Sequence, residues 1–417
     1  MAHVKDAGSE CFEGGIKNLS FYKTLHMLTH LFKLIWNKKK QNFLLMMEMF
    51  VSFIVMFAVF TLLVYYYQNN NRPSGFAHEN VWLVNYQQPQ EIKGNDSLAA
   101  FHQTVYQLLK TMPMIQEVSF AGSNVPFSMN THNNDMSYNN IHQMADIYIT
   151  QDSYKDVLGL SMKEGRWFSK EDNAAKEKPA IINTSLKEKF FPHENALGKL
   201  IDFEGSKMKV VGVVNDFKDK SDYQGPSNSF FARADSNYQN WLGAILIKVS
   251  ADADAAFESR LYKSLSNTIR NSTIEIEHLE KKRISKNNVI LVPMIILLIV
   301  AGFLIINVAL GLFGVLWYNI NKRRSEIGLR RAVGASGNSI SKQLVGEALV
   351  LSTISLLIGS FFAVQFPLLN IFDLATSTYL LAWVLALAFI YVLVIICALY
   401  PGRQAAAIYP AVALHEE

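Results

Sequence analysis

The sequence predicts a membrane α-helical protein of four transmembrane helices, with an α+β extracytoplasmic domain of two subdomains between spans 1 and 2. Three observations lead to this fold class. Most apolar residues fall into four uninterrupted runs, and the stretch 68–288 has the composition of a soluble domain. Basic residues cluster before the first run and between the second and third runs. A chain of 417 residues has room for all of these parts.

The four apolar runs cover residues 43–67, 289–317, 344–369 and 380–400. Crossing the hydrocarbon takes about 20 mostly apolar residues, so each run is predicted to be a span. A Tyr triplet ends the first run and suits the headgroup level. The second run would measure about 43 Å as a helix against about 30 Å of hydrocarbon, which predicts that it continues outward as a stalk.

Residues 1–42 are predicted to form a cytoplasmic, amphipathic N-terminal segment. Its length and the lack of a small-residue cleavage site favour a retained anchor over a cleaved signal peptide. Cys11 follows no apolar region, which argues against a lipoprotein signal. The other cysteine, Cys397, lies in the fourth run, so we expect neither a disulfide in the outer domain nor a zinc site built on cysteine pairs.

The basic residues predict the topology, because cytoplasmic loops carry the Lys and Arg excess. Three lysines at 38–40 precede the first span, which places that end inside. The basic loop 318–343 is then also inside, and the turn 370–379, which contains no Lys or Arg, is outside. The tail 401–417 carries Arg403 and is predicted to be cytoplasmic.

The domain 68–288 is left on the outer side. Short β-branched or alternating runs predict strands, and helical stretches lie between them, which favours an α+β domain. An inserted lobe is predicted at about 152–222, and the part nearer the membrane combines 77–150 with 230–279.

Two stretches of this domain invite a functional interpretation. Trp167 and Phe168 follow a glycine, a pattern that favours a buried turn over a substrate contact. His132, Asp135 and His142 lie in one polar stretch, but nothing there imposes ligand geometry, so a surface loop is favoured over a metal site.

The loop between spans 2 and 3 carries the densest basic cluster, which consists of Lys322, Arg323, Arg324, Arg330 and Arg331. This cluster sets the topology and attracts anionic headgroups. The spacing of Glu326 and Arg330 predicts a helical ion pair, and Ile327 and Val333 offer apolar contacts. Gly334 is placed to end that helix, and Ser336 to cap the next one.

Three motifs of the membrane part resemble the MacB/FtsX family of ABC-transporter permeases. The loop reads R-R-S-E-I-G-L-R-R-A-V-G-A over 323–335, and the third span begins with a pattern matched by Gln343, Glu347, Ala348, Leu351 and Ser352. The chain end matches at Pro401, Arg403, Ala405, Ala406, Pro410, Ala413 and Leu414. Gly402 and Gln404 depart from the family pattern there. The stretch 154–172 resembles the family's periplasmic domain.

The resemblance implies the membrane subunit of an ATP-driven complex in the bacterial inner membrane, with both termini in the cytoplasm and the large domain in the periplasm. The implied partners are a cytoplasmic ABC ATPase, a second permease chain, a periplasmic adaptor and the lipid membrane, and no nucleic acid. The ATPase, which binds ATP and Mg, would pass its motion to the periplasmic domain to export a substrate such as a peptide, drug or lipoprotein. The residues expected to dock it are Glu326, Ile327, Gly328, Arg330, Arg331 and Gly334.

Neither a G-x-x-x-x-G-K-[ST] phosphate loop nor a hydrolytic signature occurs in the sequence, so we expect no catalytic residue and no cofactor in this chain. Two other functions are disfavoured. A sensor would need an effector domain on the inner side, and a secondary transporter would need polar, broken helices at the midplane. Within the family, the alternative is an FtsX-like non-transport subunit that regulates cell-envelope enzymes.

The spans add two further expectations. Glu48 and Glu347 lie in or beside spans, where reaching water or pairing with the basic loop is favoured over ion translocation. Ser355, Gly359 and Ala363 recur every four residues, which predicts close packing of the third span against another helix.

Overall fold

The computed structural model describes residues 39–89, 91–235 and 238–407, and side chains from Phe43 onward. Residues 1–38 of the predicted N-terminal segment and 408–417 of the predicted tail lie outside the described residues. The chain divides into two units. Tyr66–Val292 is called the outer unit, and the described residues on either side of it are called the membrane unit.

In chain order the helices are α1 (Lys39–Asn70), α2 (Asn95–Lys110), α3 (Tyr154–Leu158), α4 (Thr184–Phe190), α5 (Ala255–Thr268), α6 (Leu279–Lys322), α7 (Arg324–Ala332), α8 (Gly337–Ala363), α9 (Gln365–Leu368) and α10 (Thr376–Ala406). The strands are β1 (Val81–Tyr86), β2 (Ile115–Ala121), β3 (Asn133–Tyr138), β4 (Ile141–Thr150), β5 (Met162–Gly165), β6 (Lys178–Asn183), β7 (Leu200–Phe203), β8 (Ser206–Val214), β9 (Ser229–Arg233), β10 (Ala244–Val249) and β11 (Ile274–His278).

Four helices of the described chain, α1, α6, α8 and α10, are long and apolar enough to cross a membrane. The predicted fold class is therefore confirmed: four membrane helices, with an α+β domain between the first and the second. Three of these helices, α1, α6 and α10, extend past both ends of the apolar runs that predicted them. The longest is α6, whose 44 residues form one helix that begins ten residues before the predicted start of the span at Val289.

The third membrane helix differs from its predicted bounds of 344–369. It begins earlier because Ser336 caps it, with the Ser336 side chain accepting a hydrogen bond from the N–H of Ser339. It ends at Ala363, and Pro367 follows four residues later. A proline lacks the N–H that would bond to the carbonyl of Ala363, and its ring clashes with that carbonyl, so the chain restarts there as the short α9.

The membrane unit has its own apolar core. On α10 the buried residues recur every four positions, at Ala382, Ala386, Ile390, Val394 and Ala398. This spacing places them on one face of the helix, and they pack in a cluster with α1 and α8. By contrast, α6 leaves most of its large apolar side chains exposed, among them Ile299, Phe303 and Leu310.

In the outer unit, four strands form an antiparallel sheet in the order β11, β1, β10, β2. Helix α2 connects β1 to β2, and α5 connects β10 to β11, so this part has the split β-α-β arrangement. One strand of this sheet, β2, continues into β4 through the pair Ala121 and Thr150.

The remaining strands close on themselves. β4 pairs β3, β3 pairs β7, β7 pairs β8, β8 pairs β6, β6 pairs β9, and β9 pairs β4 again. The predicted lobe at 152–222 contributes β6, β7 and β8 to this ring, and also β5, which pairs with β8 outside the ring. Because the ring is closed, each of its six strands pairs with a neighbour on both sides.

Aromatic side chains fill the core of the outer unit. Trp167 and Phe168 are 8% and 4% exposed, which confirms the predicted buried turn. Gly165 before them has φ +68°, and a Cβ there would lie 2.3 Å from the carbonyl oxygen of Val211. Only glycine fits this close approach of two strands.

Candidate functional site

The basic loop forms a nine-residue helix, α7, between two membrane helices. It ends at Ala332, and Gly334 follows with φ +100°, a conformation that favours glycine. Ser336 then caps α8. The predicted helix, its glycine terminator and the cap of the next helix are therefore confirmed.

Ile327 holds α7 against the membrane helices. It is 7% exposed and clusters with Ile320, Ile340, Leu344 and Ala405. The chain's own helices thus cover most of this side chain, and the expected contact of Ile327 with an ATPase stays a prediction. Gly328 beside it is also buried.

Ion pairs surround the Ile327 cluster. Arg323 Nη1 lies 3.2 Å from Glu347 Oε1, so the predicted pairing of Glu347 with the basic loop is confirmed. The predicted helical pair is also present, with Arg330 Nη2 2.5 Å from Glu326 Oε1. Arg330 donates a second bond to Gln343 Oε1 at 3.0 Å. These contacts tie α7 to the start of α8.

The exposed side of α7 carries two apolar side chains that sequence reasoning used only in part. Leu329 is 55% exposed, and Val333, just past the helix, is 82% exposed. A spacing of four residues places them on the same side. Val333 was among the expected contacts, but Leu329 was missed, although the same spacing could have shown it. Arg330, whose side chain is 48% exposed, lies between them in sequence.

Two glycines permit close contact of the loop with the last membrane helix. A Cβ on Gly337 would lie 2.7 Å from Nη1 of Arg331 and 3.0 Å from the carbonyl oxygen of Ala406. A Cβ on Gly402 would lie 2.7 Å from Oγ of Ser341. Gly402, which departs from the family pattern, is thus a packing position.

The three small residues of α8 are buried, with Ser355 at 1% and Ala363 at 2% exposure and Gly359 in the same class. A Cβ on Gly359 would lie 2.4 Å from Cδ1 of Phe53, so α1 approaches α8 at this glycine. Glu48 on α1 lies against Gly311 of α6, where a Cβ would be 2.5 Å from the carboxylate. Among the residues that the structure describes, Glu48 makes no ion pair with the basic loop.

A second polar network joins the outer ends of α1 and α6 within the outer unit. Lys218 is 4% exposed, and its Nζ donates to the carbonyl oxygens of Asn69 at 2.9 Å, Arg72 at 2.7 Å and Asp222 at 3.3 Å. Burial lowers the pKa of Lys218, and the nearby Asp222 opposes that shift. The end of α1 is thus bonded to the loop after β8.

Asp222 bonds the same loop to α6. Its carboxylate accepts from Arg283 Nε at 3.0 Å and from Asn287 Nδ2 at 2.6 Å. Burial acts to raise the pKa of Asp222, but the hydrogen bonds from Arg283 and Asn287 outweigh it, so this pKa is lowered. Tyr66 on α1 also donates to the carbonyl oxygen of Ile290 on α6 at 3.1 Å. We name Lys218, Asp222, Arg283 and Asn287 the outer junction.

The histidine stretch of the outer unit has other partners. His142 Nδ1 pairs with Asp135 at 2.6 Å, while His132 stacks on Trp241 with ring centroids 5.4 Å apart. Over the described ranges, no group of three or more His, Cys, Asp or Glu side chains is arranged to hold a metal ion.

Comparison with protein families adds to this geometry. The model of the MacB-like periplasmic core domain matches residues 49–261, about half of the chain. The model of the FtsX-like permease C-terminal domain matches residues 296–410. The chain belongs to the MacB/FtsX-like permease family. It is a membrane-spanning protein whose outer unit is the family's periplasmic-type domain.

Individual relatives are distant. The chain is 27% identical over 223 residues to the macrolide export ATP-binding/permease protein MacB of Aggregatibacter actinomycetemcomitans, covering 50% of this chain and 33% of that protein. It is 24% identical to an uncharacterized ABC transporter permease, YvrN, of Bacillus subtilis, covering 74% of this chain and 78% of the relative. The chain thus spans about a third of the length of the MacB protein that it matches.

Among solved structures, the periplasmic region of MacB from Actinobacillus actinomycetemcomitans aligns with a TM-score of 0.38 and 18% identity, over 52% of this chain and 97% of that one. The extracellular domain of the noncanonic ABC-type transporter YknZ aligns with a TM-score of 0.35 and 16% identity, over 48% of this chain and all of that one.

Proposed function

We propose that this MacB/FtsX-like permease is the membrane subunit of an ABC complex, and that a separate cytoplasmic ATPase docks on the exposed side of α7. The observation that carries the proposal is the pair Leu329 and Val333 beside Arg330. The apolar side chain of Leu329 is about half exposed, and that of Val333 is mostly exposed. An exposed apolar ridge with basic neighbours suits a partner with an apolar groove and an acidic rim.

The anchoring of α7 supports this role. Because Ile327 is buried in the chain's own helices and Arg323 is paired with Glu347, a force applied to α7 reaches α6 and α8 directly. ATP and Mg would bind to the partner, and this chain would supply no catalytic residue. The motion would pass to the outer domain for export of a substrate such as a peptide, drug or lipoprotein.

The proposal includes a topology. The lysines at 38–40 and the basic residues of the loop favour the cytoplasmic side, which leaves the outer unit in the periplasm and the chain in the bacterial inner membrane. The MacB-like outer domain favours export over an FtsX-like signalling role. The uncovered apolar surface of α6 supports a second permease chain in the complex, with lipid as the other neighbour of that surface.

The test removes the exposed ridge and keeps the fold. Leu329→Ser with Val333→Ser should insert and fold normally, because neither side chain is buried in this chain. Losing the burial of two partly covered side chains costs about 2 kcal/mol, or roughly thirtyfold in affinity. We therefore expect the ATP-hydrolysing subunit to be lost from the tagged complex purified from native membranes, together with its ATP turnover.

The matched control is Leu368→Ser with Leu369→Ser, a pair of similar exposure, 72% and 67%, just before the predicted external turn 370–379. This variant should retain the ATPase. Equal recovery of ATPase and equal turnover in the α7 variant and in wild type would refute docking through this ridge.

A further inference from the structure

An open cavity of about 450 Å³ lies in the outer unit, where α6 begins. Its lining residues come from the first turns of α6, the end of β11, one carboxylate of α5 and the loop after β2; they are Phe127, Met129, Glu258, Ile276, Glu277, His278, Lys281, Lys282, Ser285, Lys286 and Val289. The wall from α6 recurs at helical spacing, since Lys282, Ser285, Lys286 and Val289 follow one face. None of these residues belongs to α7 or to the outer junction.

The cavity has an excess of positive charge. Its two carboxylates are already paired: Glu277 lies 2.8 Å from Nζ of Lys282, and Glu258 lies 2.9 Å from Nε2 of His278. The other two lysines form no ion pair among the residues that the structure describes. Burial lowers the pKa of Lys286, and the more distant carboxylate of Asp219 opposes that shift. Lys286 donates to the carbonyl oxygen of Ser128 at 2.9 Å, and Lys281 is exposed. Two cations are therefore available to an anionic ligand.

The same cavity is also apolar. Met129 is 67% exposed and Val289 is 44% exposed, while Phe127 and Ile276 complete the apolar lining. Val289 begins the apolar run of α6, so one wall of the cavity continues within the same helix into the membrane span. A ligand held by Lys281 and Lys286 would have its apolar part beside these turns.

We propose that this cavity binds the phosphate headgroup of an anionic phospholipid from the adjoining leaflet, with the acyl chains along the apolar turns that follow Val289. Two cations next to an apolar helix suit a ligand that joins a phosphate to an acyl chain, because basic pockets beside membrane helices can bind anionic lipid headgroups. A free phosphate would use the lysines but not Met129 or Val289. The proposal does not depend on the docking of an ATPase to α7.

The test measures lipid binding to the full chain in detergent by native mass spectrometry, with phosphatidylglycerol and phosphatidylcholine as probes. Each lysine near a headgroup contributes about fivefold to binding. Wild type should therefore prefer phosphatidylglycerol by about tenfold or more, and Lys281→Gln with Lys286→Gln should abolish that preference. Lys286→Arg keeps the charge and should keep the preference.

The control is Lys207→Gln with Lys209→Gln, which removes the same charge from two exposed lysines of β8. It should bind phosphatidylglycerol like wild type. If the Lys281 and Lys286 double variant fails to fold, the single Lys281→Gln decides, because that side chain is exposed.

Three results would overturn the proposal. The first is an unchanged preference for phosphatidylglycerol in the double variant, or in Lys281→Gln where that variant decides. The second is an equal loss of preference in the control pair, and the third is displacement of the lipid by glycerol phosphate at equal concentration. The last would show a site for a free anion and not for a lipid.

Discussion

The α7 loop and the outer junction both bind a polar segment to membrane helices, but they do so in different ways. At the outer junction, Lys218 and Asp222 are 4% and 9% exposed. On the exposed side of α7, the pair of Arg330 and Glu326 has side chains that are 48% and 46% exposed. Desolvated, fully bonded charges resist separation, whereas exposed pairs contribute little because water and salt screen them.

Because the charged groups of the two regions differ in burial, the regions would have different mechanical roles in the proposed complex. The junction bonds the loop after β8 to the end of α1 through Lys218 and to α6 through Asp222. In the proposed mechanism, movement of either helix would be passed to that loop. The α7 loop is held by the apolar cluster around Ile327 and by the Arg323–Glu347 pair, and its opposite side, with Leu329, is exposed. A bonded outer junction and an accessible α7 are the combination that the proposed transmission of force requires.

The largest effect is expected from breaking the junction. Asp222→Ala leaves Lys218 without its nearby carboxylate and leaves Arg283 with Glu280 as its remaining carboxylate. Removing one partner from a buried ion pair costs about 3–5 kcal/mol. We expect the free energy of unfolding of the outer unit at pH 7 to fall by about that amount in urea titrations.

The pH dependence follows from the lowered pKa of Asp222. A carboxyl with a lowered folded pKa stabilises the fold above its unfolded pKa of about 3.9, and that stabilisation is lost as pH falls through the folded pKa. Wild type and Asp222→Ala should therefore converge below about pH 4.

The control for this prediction is Glu117→Ala. Glu117 pairs with Lys110 at 3.0 Å, but the two side chains are 38% and 30% exposed, so a change of less than about 1 kcal/mol is expected. A loss in Asp222→Ala no larger than in the control would show that the junction does not hold the helix ends.

An intermediate effect is expected at Ile327. Ile327→Ala removes buried side-chain atoms from a small cluster and should cost about 2 kcal/mol, at the low end for a core isoleucine because the cluster is small. Hydrogen exchange of the α7 amides should speed up accordingly, while the unfolding of the outer unit stays unchanged. Leu329→Ala, at 55% exposure, is the control and should leave exchange almost unaltered. Equal exchange in the two variants would show that Ile327 does not hold α7 against the membrane helices.

The sequence predicts the features that local patterns encode. Apolar runs indicate the four spans, and the loop helix with its terminating Gly334 and capping Ser336 follows from residues only a few positions apart. The face of α7 that is buried does not follow in this way. Ile327 and Leu329 lie on different sides of a nine-residue helix, and only the positions of Ile340 and Leu344 decide which is covered.

The outer junction shows the same limit more clearly. Asn69, Lys218 and Arg283 are far apart in sequence, and no motif connects a lysine after β8 with the carbonyls that end α1. The closed ring of strands also escaped prediction, because the parallel pairing of β4 with β9 joins strands that are distant in the chain. Contacts of this kind depend on the whole fold.

The smallest effect is expected for the exposed pair on α7, and it sharpens the comparison most directly. A double-mutant cycle of Glu326→Gln and Arg330→Gln, without a partner protein, should give a coupling energy of about 0.3–0.5 kcal/mol, the usual value for an i,i+4 pair in water. It should vanish in 1 M salt, where the Debye length is about 3 Å. A weak coupling leaves Arg330 free to exchange Glu326 for an acidic group on a docking partner, since the loss is small. Hydrogen exchange of α7 in each variant measures the coupling. A coupling energy above about 2 kcal/mol that persists in high salt would make this pair resemble the buried outer junction. The α7 helix would then be held as firmly as the outer junction.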